Sequence, residues 1–320
     1  MPHFVLEVAH ELSLCLQRET GRQVFTPRLI ALHLLSFYWT KRLYGALLER
    51  IQPEYALVAD PGEYAITAAA KERDIDVLEY QHGFLDRDQH PAYAWTEHAL
   101  KYKARMPIPD RLLLYGEYWK QELAVNGFWE DSLAAVGSLR MDHYRKARSV
   151  SNCSETCTIV LTTQGIDVEN VIAFISGFLA LADRRLQFRL YIKLHPFYET
   201  DKTPYEAAFL KHPEVQILLG SESPSTFELL ARAQLHLTIS STCHYDALGL
   251  GVPTVILPFT SHEAALHLYE TGQAFLAHSP QELFDIAVHW RDHAVPPGIS
   301  EWYYKPGALE NIKRELGLLS

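Results

Sequence analysis

Two polar segments in the second half of the chain contain side chains of the kind that bind phosphate and sugar hydroxyls. The first is Lys193-Leu194-His195-Pro196, which ends an apolar run beginning at Phe188. Because proline lacks an amide hydrogen and restricts the residue before it, His195 is predicted at the carboxyl end of a strand. In open parallel α/β sheets, ligands bind at that edge. The segment therefore predicts a ligand-binding position for His195.

The second segment is Ser240-Ser241-Thr242, which follows the apolar run 235–239. Hydroxyl groups at this position can cap the next helix, and capping alone would explain them. A phosphate also fits there, because the start of a helix presents free amides and the positive end of its dipole. A short helix, a glycine turn and a proline-led apolar run follow over residues 246–256, which favours one nucleotide pocket shared with His195.

A third segment, Glu79-Tyr80-Gln81-His82-Gly83, lies in the first half of the chain. A strand is predicted to end at Tyr80, and Gly83 would allow the backbone to turn sharply under a ligand. Two interpretations remain open. The segment is either an ordinary loop with one hydrogen-bonded histidine, or a group in which Gln81 and His82 face a crevice between two domains.

The carboxylates beside these segments are candidates for a base or a nucleophile, and they are Asp60, Glu63, Glu79 and Asp167. Asp60 and Glu63 end a predicted strand, although an Asp-Pro-Gly turn needs no catalytic role. Asp167 follows the predicted strand 157–163 and is either the N-cap of the next helix or a nucleophile. The short run 86–88 is interpreted as a solvated loop, so no metal site is predicted.

The elements that must position these residues alternate between apolar strands and helices. In the first half, strands are predicted at 55–60, 75–80, 111–115 and 134–136. In the second half, they are predicted at 157–163, 188–194, 215–219, 235–239 and 254–257. Continuously apolar strands separated by helices are typical of parallel sheets covered on both faces.

We therefore predict an α/β protein with two Rossmann-like parallel-sheet domains facing a cleft. The polar and charged run 144–152 is predicted to be a linker, which divides the chain into domains 1–145 and 146–320. Neither a Gly-x-Gly-x-x-Gly motif nor a P-loop occurs, which argues against a dinucleotide or ATP site of the usual kind.

Two helices are predicted before the first strand, over 5–16 and 28–51, with Pro27 at the start of the second. The second helix is apolar on nearly all sides. It is either buried between neighbours, or it uses Phe37, Tyr38 and Trp39 with Lys41 and Arg42 to contact a membrane face or a lipid-linked acceptor.

The composition is that of an ordinary globular protein, with 48% hydrophobic and 21% charged residues among 320. A net charge of −10 argues against a nucleic-acid partner, which requires clustered Lys and Arg. The cysteines Cys15, Cys153, Cys157 and Cys243 do not have zinc-site spacing and are predicted to be free thiols in a reducing cytosol. No membrane-spanning run or secretion signal is predicted.

The combination of His195-Pro196, the Ser240 segment and the Gln81-His82-Gly83 step resembles GT-B glycosyltransferases of bacterial surface-polysaccharide assembly. Within that group it is similar to transferases that use CMP-activated sugars, such as β-Kdo and sialic acid, and to teichoic-acid polyol-phosphate transferases. The resemblance covers roughly residues 55 to 260. Residues 137–142 resemble the Gly-x-Pro-Arg turn of these enzymes, with Leu139 at the position of the proline.

The resemblance implies a GT-B-like fold whose C-terminal domain binds the donor and whose N-terminal domain is reduced. It implies that His195 approaches the nucleotide phosphate and that the hydroxyl segment binds that phosphate or the ribose. The donor-binding residues would be Thr163, Gln164, Lys193, His195, Pro196, Ser240, Ser241 and Thr242. The catalytic candidates would be Asp167, Gln81 and His82. The cleft would be lined by Gly83, Glu79, Asp60 and Glu63.

The expected function is transfer of a Kdo-like or sialic-acid-like sugar from a CMP-activated donor to a surface polysaccharide or a lipid-linked glycan. Three alternatives stay open: a UDP-sugar transferase or epimerase, a CDP-polyol phosphotransferase, and a non-catalytic partner in a polysaccharide assembly complex. We expect no cofactor beyond the nucleotide-sugar substrate and no metal. The expected location is cytoplasmic, with contact with the inner face of the membrane left open.

Overall fold

The structure is a computed structural model that describes residues 3–85, 92–125, 127–151, 155–182 and 185–318. It divides into two compact units. Unit 1 comprises Met1–Leu114 and Lys120–Ala134, and unit 2 comprises Tyr115–Trp119 and Ala135–Ser320. Each unit contains a parallel sheet, so the predicted pair of Rossmann-like α/β domains is confirmed.

Unit 1 begins with two helices, α1 (His3–Thr20) and α2 (Pro27–Ile51). Thr26 caps α2 by accepting a hydrogen bond from the Leu29 amide, and Pro27 occupies the first turn, where its missing amide hydrogen costs nothing. The helix ends at Ile51, and the next residue, Gln52, takes a left-handed conformation. The start that Pro27 predicts is therefore realised in the backbone.

The sheet of unit 1 has, within the described residues, four strands in the order β1-β2-β3-β4. The elements in chain order are β1 (Tyr55–Val58), α3 (Tyr64–Lys71), β2 (Asp76–Tyr80), β3 (Arg111–Leu114), α4 (Glu117–Ala124) and β4 (Leu133–Ala135). A 3-10 helix at Glu97–Arg105, which the sequence did not predict, precedes β3. Leu48 of α2 packs with Val58 and Val77 in one apolar cluster, which fixes α2 against the sheet.

Unit 2 has a larger parallel sheet, with six strands among the described residues in the order β10-β9-β8-β5-β6-β7. Its strands are β5 (Cys157–Thr162), β6 (Phe188–Lys193), β7 (Val215–Leu218), β8 (Leu235–Thr238), β9 (Thr254–Ile256) and β10 (Phe275–Leu276). The chain proceeds outward in one direction from β5 to β7 and in the other from β8 to β10. The boundary between β5 and β8 is the topological switch point of the sheet.

The helices of unit 2 in chain order are α5 (Leu139–Ser151), α6 (Val168–Ala182), α7 (Thr203–Phe209), α8 (Thr226–Arg232), α9 (Cys243–Gly249), α10 (Leu266–Glu270), α11 (Pro280–Val288), α12 (Pro297–Tyr303) and α13 (Ala308–Glu315). The buried faces of α6 and α11 pack on alternate residues of the central strands, and Phe178, Leu179 and Leu283 belong to that core. Strand β10 and helix α12 were not predicted from the sequence.

The predicted linker over 144–152 is wrong for the residues that the structure describes, because that stretch lies in helix α5 of unit 2. Its two arginines are bound to backbone carbonyls, whereas Lys146 is exposed. Arg145 donates from Nε to the Gly249 carbonyl and from a terminal nitrogen to the Ser300 carbonyl, at 2.9 Å each. Arg148 donates to the Ala233 carbonyl at 2.6 Å. The unit boundary therefore differs from the predicted 145/146 and falls at Ala134/Ala135.

Gly137, in the turn before α5, is required by close packing. It has φ of +100°, and a Cβ there would meet the Lys305 carbonyl oxygen at 2.2 Å. Any side chain at this position would displace either the turn or the segment before α13. The glycine of the Gly137–Asp142 turn is therefore explained by packing within unit 2.

Candidate functional site

The carboxyl edge of the unit 2 sheet brings the Ser240 segment and the predicted donor-binding residue Gln164 together at the switch point. Ser240, which follows β8, donates from its hydroxyl to the Gln164 side-chain oxygen, which follows β5, at 3.0 Å. Both side chains are partly exposed. Ser241 is anchored beneath them, because its amide donates to the Thr238 hydroxyl at 3.0 Å. The edge therefore presents an amide and two hydroxyls at the position where ligands of such sheets bind.

A buried histidine ties the strands below this edge to one another. The His236 ring lies between the hydroxyls of Thr162 and Thr254, with Nε2 2.9 Å from the first and Nδ1 3.3 Å from the second. Burial lowers the pKa of His236 to about 3, so the ring is neutral and can donate from one nitrogen while accepting at the other. The hydrogen-bonded chain fixes β5, β8 and β9 at the switch point.

Thr163 is also buried at the end of β5, where the sequence analysis missed its partner, Glu199. The Glu199 carboxylate accepts hydrogen bonds from the Thr163 hydroxyl, from the Gly165 amide at 3.0 Å and from the Tyr205 hydroxyl at 2.8 Å. The loop after β5 is therefore held by one buried carboxylate. The Thr163 hydroxyl is already engaged, and Gln164 is the partly exposed residue of this pair.

His195 lies at the end of β6, as predicted, and its ring has a defined protonation pattern. Its Nδ1 accepts from the amides of Phe197 and Tyr198 at 3.1 Å each, and the ring stacks on Tyr198 with centroids 4.4 Å apart. An accepting Nδ1 places the proton of the neutral ring on Nε2. The described residues offer Nε2 no hydrogen-bond partner, so it can donate to a ligand.

Pro196 has a packing role, because the space beside it is already filled. A Cβ on Gly220 would meet the Pro196 Cα at 2.5 Å, so the loop after β7 lies against the proline. This contact fixes the turn that carries His195.

Lys193 is not brought to the edge, although it was predicted to bind the donor. It is only 2% exposed, and its ammonium donates to the carbonyls of Leu219 at 2.8 Å, Glu222, and Pro224 at 3.1 Å. Three protons thus meet three backbone acceptors. The Lys193 side chain holds the loop between β7 and α8, and the hydrogen bonds of its ammonium go to that loop rather than to the residues at the switch point.

Asp167 bridges two loops of the edge. Its carboxylate accepts from the Thr260 amide at 2.8 Å, and this bond holds the pKa of Asp167 below its usual range. The backbone at Asp167 is left-handed, with φ of +51°, whereas an N-cap residue has an extended backbone. Among the described residues, the side chain bonds to the loop after β9 rather than to the first turn of α6. Its role as a nucleophile stays a prediction.

Thr242 is exposed, and the helix that follows it contains two buried groups that the sequence analysis did not single out as site residues. Asp246 accepts from the Tyr304 hydroxyl at 2.6 Å, and burial raises its pKa to about 6. His244 is 3% exposed, and neither of its ring nitrogens has a hydrogen-bond partner among the described residues. Such a group is rare in native proteins, and a bound polar molecule or water would satisfy it.

In unit 1, the predicted carboxylates differ sharply in environment. Glu79 is 2% exposed at the end of β2 and accepts a hydrogen bond from the buried Tyr93 hydroxyl. Burial raises the pKa of Glu79 to about 7, with a further contribution from the nearby charge of Asp60. A carboxyl that exchanges its proton near neutral pH is suited to general acid or base chemistry.

The other unit 1 candidates have ordinary structural partners. Asp60 accepts from the Gly62 amide at 2.7 Å, which is the turn expected of Asp-Pro-Gly, and Glu63 precedes α3 without a side-chain capping bond. Gln81 donates to the Gly83 carbonyl at 2.8 Å. A Cβ on Gly83 would meet no atom within 4 Å, so the proposed need for glycine there is not supported.

His82 is exposed and stays a candidate without a described partner. Residues 86–91, including Asp86, Arg87, Asp88 and the His90-Pro91 step, lie outside the described residues, as does Cys153. Cys15, Cys157 and Cys243 are free thiols. No group of three or more His, Cys, Asp or Glu side chains among the described residues could hold a metal ion.

The comparisons with known proteins show similarity of fold. No protein-family model matches the chain, and no curated protein matches its sequence. Among solved structures, the fold is similar to UDP-GlcNAc 2-epimerase from Neisseria meningitidis bound to UDP-GlcNAc. That match has a TM-score of 0.58 and 17% identity, and covers 88% of this chain and 81% of that one.

Two further structures extend the similarity. UDP-GlcNAc 2-epimerase from Methanocaldococcus jannaschii gives a TM-score of 0.59 at 17% identity, covering 88% of this chain and 82% of that one. Anabaena Alr3699/HepE in complex with UDP and glucose gives a TM-score of 0.50 at 12% identity, and the match covers 87% of this chain and 82% of that one. The chain thus shares the two-sheet fold of GT-B nucleotide-sugar proteins, whereas a particular likeness to CMP-sugar transferases is not supported.

Proposed function

We propose that the protein is a nucleotide-sugar enzyme that binds a UDP-sugar at the carboxyl edge of the unit 2 sheet. The observation that carries this proposal is the polar group at the switch point, where Gln164, Ser240 and Ser241 lie together above the strand ends. The similar folds that contain UDP-GlcNAc, or UDP and glucose, favour a uridine nucleotide over the CMP donor expected from the sequence.

The edge residues suit a diphosphate leaving group. The Nε2 hydrogen of His195, the side-chain amide hydrogens of Gln164 and the hydroxyl of Ser241 are donors that can bind phosphate oxygens, and the Ser240 hydroxyl orients Gln164 by donating to its side-chain oxygen. Donors already fixed in place stabilise the charge that develops when the bond between the sugar and the phosphate breaks. Because these donors are neutral, the positive charge that Lys193 was expected to supply is not needed for orientation.

Glycosyl transfer is the reaction that we assign first. The bond from the anomeric carbon to UDP breaks, a bond to an acceptor oxygen forms, and the acceptor hydroxyl loses a proton to a base. Within unit 1, Glu79 is paired with Tyr93 and has a pKa of about 7, the range in which a carboxyl can act as a general base. Asp167 is already ionised and engaged with Thr260, so we assign it to positioning of the donor loop.

Epimerisation of a UDP-sugar is the second candidate, because two of the similar structures are UDP-GlcNAc 2-epimerases. In this reaction the sugar loses its C2 proton as the bond from the anomeric carbon to UDP breaks, and UDP and a proton then add back, the proton on the other face of C2. The two candidates therefore share donor binding and differ in the fate of the proton and of UDP.

Calorimetric titration of the purified protein with UDP, CMP, GDP and NAD tests the donor class. We expect UDP to bind at least tenfold more tightly than GDP and NAD. Ser240→Ala should weaken UDP binding by about five- to tenfold, the size of one lost hydrogen bond. Ser176→Ala, on the exposed side of α6, is the matched control and should leave the affinity unchanged. Tighter binding of CMP than of UDP would restore the donor expected from the sequence.

Proton nuclear magnetic resonance in D2O then separates the two reactions. Transfer releases UDP only when an acceptor is present and leaves C2 of the sugar protonated. Epimerisation yields a second UDP-sugar with deuterium at C2. Absence of nucleotide binding in the titration, followed by absence of both products, would refute the proposed function.

A further inference from the structure

One long face of helix α2 is apolar and uncovered. Its large side chains are Leu29, Leu32, Trp39, Leu43 and Leu47, which are 42%, 53%, 63%, 71% and 46% exposed. At about 100° per residue, all five lie within about 80° of Trp39 around the helix axis. We call this surface the α2 face. It extends over most of a 25-residue helix.

The neighbouring helices of unit 1 cover the other sides of α2. Ala31 packs with Val5 and Ala9 of α1, while Leu48 packs in the cluster that contains the strands β1 and β2. These contacts hold the helix in place without using the α2 face. The exposed apolar residues of α2 are therefore not needed to pack α2 against α1 and the sheet. Contiguous apolar patches exposed on soluble proteins mark interaction surfaces.

The charged residues of α2 nearest to Trp39 around the helix axis are arginines, and Glu49, about 80° from Trp39, is paired with Arg73 at 2.6 Å. On the same helical geometry, Arg28, Arg42 and Arg50 lie within about 60° of Trp39, and no Asp or Glu of α2 lies within that sector. Arg42 is exposed and lies over the ring of Tyr38, with its guanidinium carbon 5.7 Å from the ring centroid. The surface thus combines leucines, tryptophan and arginines, the residue types that bind the boundary between lipid headgroups and acyl chains.

The charge of the helical segment contrasts with that of the whole chain. Residues 1–51 contain six Lys and Arg against four Glu, whereas the whole chain has a net charge of −10. An acidic protein is repelled by an anionic bilayer unless a basic surface faces it. The α2 face supplies such a surface, so its charge is complementary to anionic lipid.

A second copy of the chain is a poorer occupant of this face. In an antiparallel pair centred on Trp39, Arg28 of one copy would oppose Arg50 of the other. In a parallel pair, each arginine would oppose its own equivalent. Either arrangement places like charges together in a contact that loses water, which opposes association.

An apolar cavity of about 400 Å³ adjoins the face between α1 and α2. Phe4 and Val8 of α1 and Leu34, Phe37 and Trp39 of α2 are among its lining residues. The cavity shares Trp39 with the α2 face, so a flexible hydrocarbon chain that reaches the face can also enter between the helices.

We propose that the α2 face binds the surface of an anionic lipid bilayer, with its apolar side chains among the acyl chains and its three arginines among the headgroup phosphates. No described helix is long and apolar enough to cross a membrane, so the contact lies in the plane of the bilayer surface. The proposal is independent of the nucleotide chemistry of unit 2.

Co-sedimentation of the full chain with vesicles tests this assignment. We expect binding to vesicles of 70% phosphatidylcholine and 30% phosphatidylglycerol, and at least tenfold weaker binding to pure phosphatidylcholine. Raising the salt from 50 to 500 mM should weaken the anionic binding. Replacing Arg28, Arg42 and Arg50 with Gln should weaken it by about fivefold per arginine.

Matched variants test whether vesicle binding depends on the α2 face itself, rather than on the net charge of the protein or on a loss of folding. The triple variant of Arg189, Lys211 and Arg232 to Gln removes the same charge from exposed positions of unit 2 and should bind like the wild type. A Trp39→Ser and Leu43→Ser double variant should lose vesicle binding while its circular dichroism and urea midpoint stay unchanged, because both side chains are exposed.

Three results would overturn the proposal. They are absence of binding to anionic vesicles, equal binding to both vesicle types, and a dimer in light scattering that the Trp39→Ser and Leu43→Ser double variant converts to monomer. The last result would assign the α2 face to a second copy of the chain.

Discussion

Replacing Glu79 with Gln should stabilise unit 1 at neutral and alkaline pH. The pKa of Glu79 is raised from 4.5 to about 7 because the carboxyl is buried and no described cation faces it. In the unfolded chain, the same group loses its proton near pH 4.5. Below pH 4.5, Glu79 is protonated in both the folded and the unfolded state, so it does not change the free energy of unfolding. As the pH rises toward 7, the unfolded state gains stability and the folded state does not.

The loss of stability follows from the difference between the folded-state and unfolded-state pKa values of Glu79. A shift of about 2.5 pKa units at 1.36 kcal/mol per unit corresponds to about 3 kcal/mol lost from the free energy of unfolding above pH 7. Gln has nearly the same shape, carries no charge and can still accept the Tyr93 hydrogen bond. The free energy of unfolding of the variant should therefore exceed that of the wild type by up to about 3 kcal/mol at pH 8, and the difference should decrease toward pH 4.

Urea unfolding from pH 4 to 8.5, followed by hydrogen exchange of peptides from β2 and β3, would measure this. Peptide resolution is needed because two units need not unfold together. Glu54→Gln, at an exposed position of the same unit, is the control and should show no such pH dependence. A Glu79→Gln variant that is no more stable than the wild type at pH 8 would refute the account of a buried, proton-holding carboxyl.

Two further substitutions test residues whose roles emerged from the structure. Glu199→Gln should cost about 1–3 kcal/mol of stability in unit 2 and weaken UDP binding, because one oxygen of Glu199 accepts two of the hydrogen bonds that hold the loop after β5. Calorimetric titration would check the affinity, and an unchanged dissociation constant would contradict the positioning role. Lys193→Met should lower the free energy of unfolding by about 2–4 kcal/mol, since three buried carbonyls lose their donor, and should leave the affinity for UDP within twofold. Urea denaturation monitored by circular dichroism gives the first quantity, and a large loss of UDP affinity without loss of stability would return Lys193 to the donor site.

The strands were predictable because their signal is local. A run such as 157–162 is apolar at four of its six positions and contains no charged residue, as expected for a strand covered on both faces, and it is bounded by polar residues. The order of the six strands was not predicted, because the rule of right-handed crossovers fixes the side on which each helix lies and not which strands are neighbours. β10 was missed because it has only two residues, which is too short for any periodic pattern.

Helix α5 shows where local reasoning failed. Its high content of Arg, Lys and Ser is typical of a linker, and only Asp142 lies nearby in sequence as an ionic partner for Arg145. The acceptors of Arg145 and Arg148 are carbonyls at Gly249, Ser300 and Ala233, which are close only in the folded unit. A charged side chain in a sequence therefore indicates an exposed position only when its hydrogen-bond partners in the folded protein are water molecules.

The sequence predicted where the candidate site lies, but it predicted less well which residues belong to it. Proline after His195 and hydroxyls after β8 correctly placed both segments at one sheet edge. The direction of Lys193 and the burial of Glu199 depend on loops from other strands, and no spacing in the sequence encodes them. Glu79 was named as a candidate, but its pKa depends on burial and on Tyr93, beyond the reach of a sequence pattern.

The path of the chain limits how unit 2 can be isolated. Trp119 is 1% exposed and donates to the Tyr303 carbonyl at 2.9 Å, and the Tyr115 carbonyl accepts from the Lys305 amide at 2.7 Å. A fragment that begins at Ala135 would lack this five-residue insert and leave a hole the size of an indole ring. Such a fragment would need residues 115–119 supplied as a separate peptide, and recovery of its folding by that peptide would make unit 2 a two-piece complementation system.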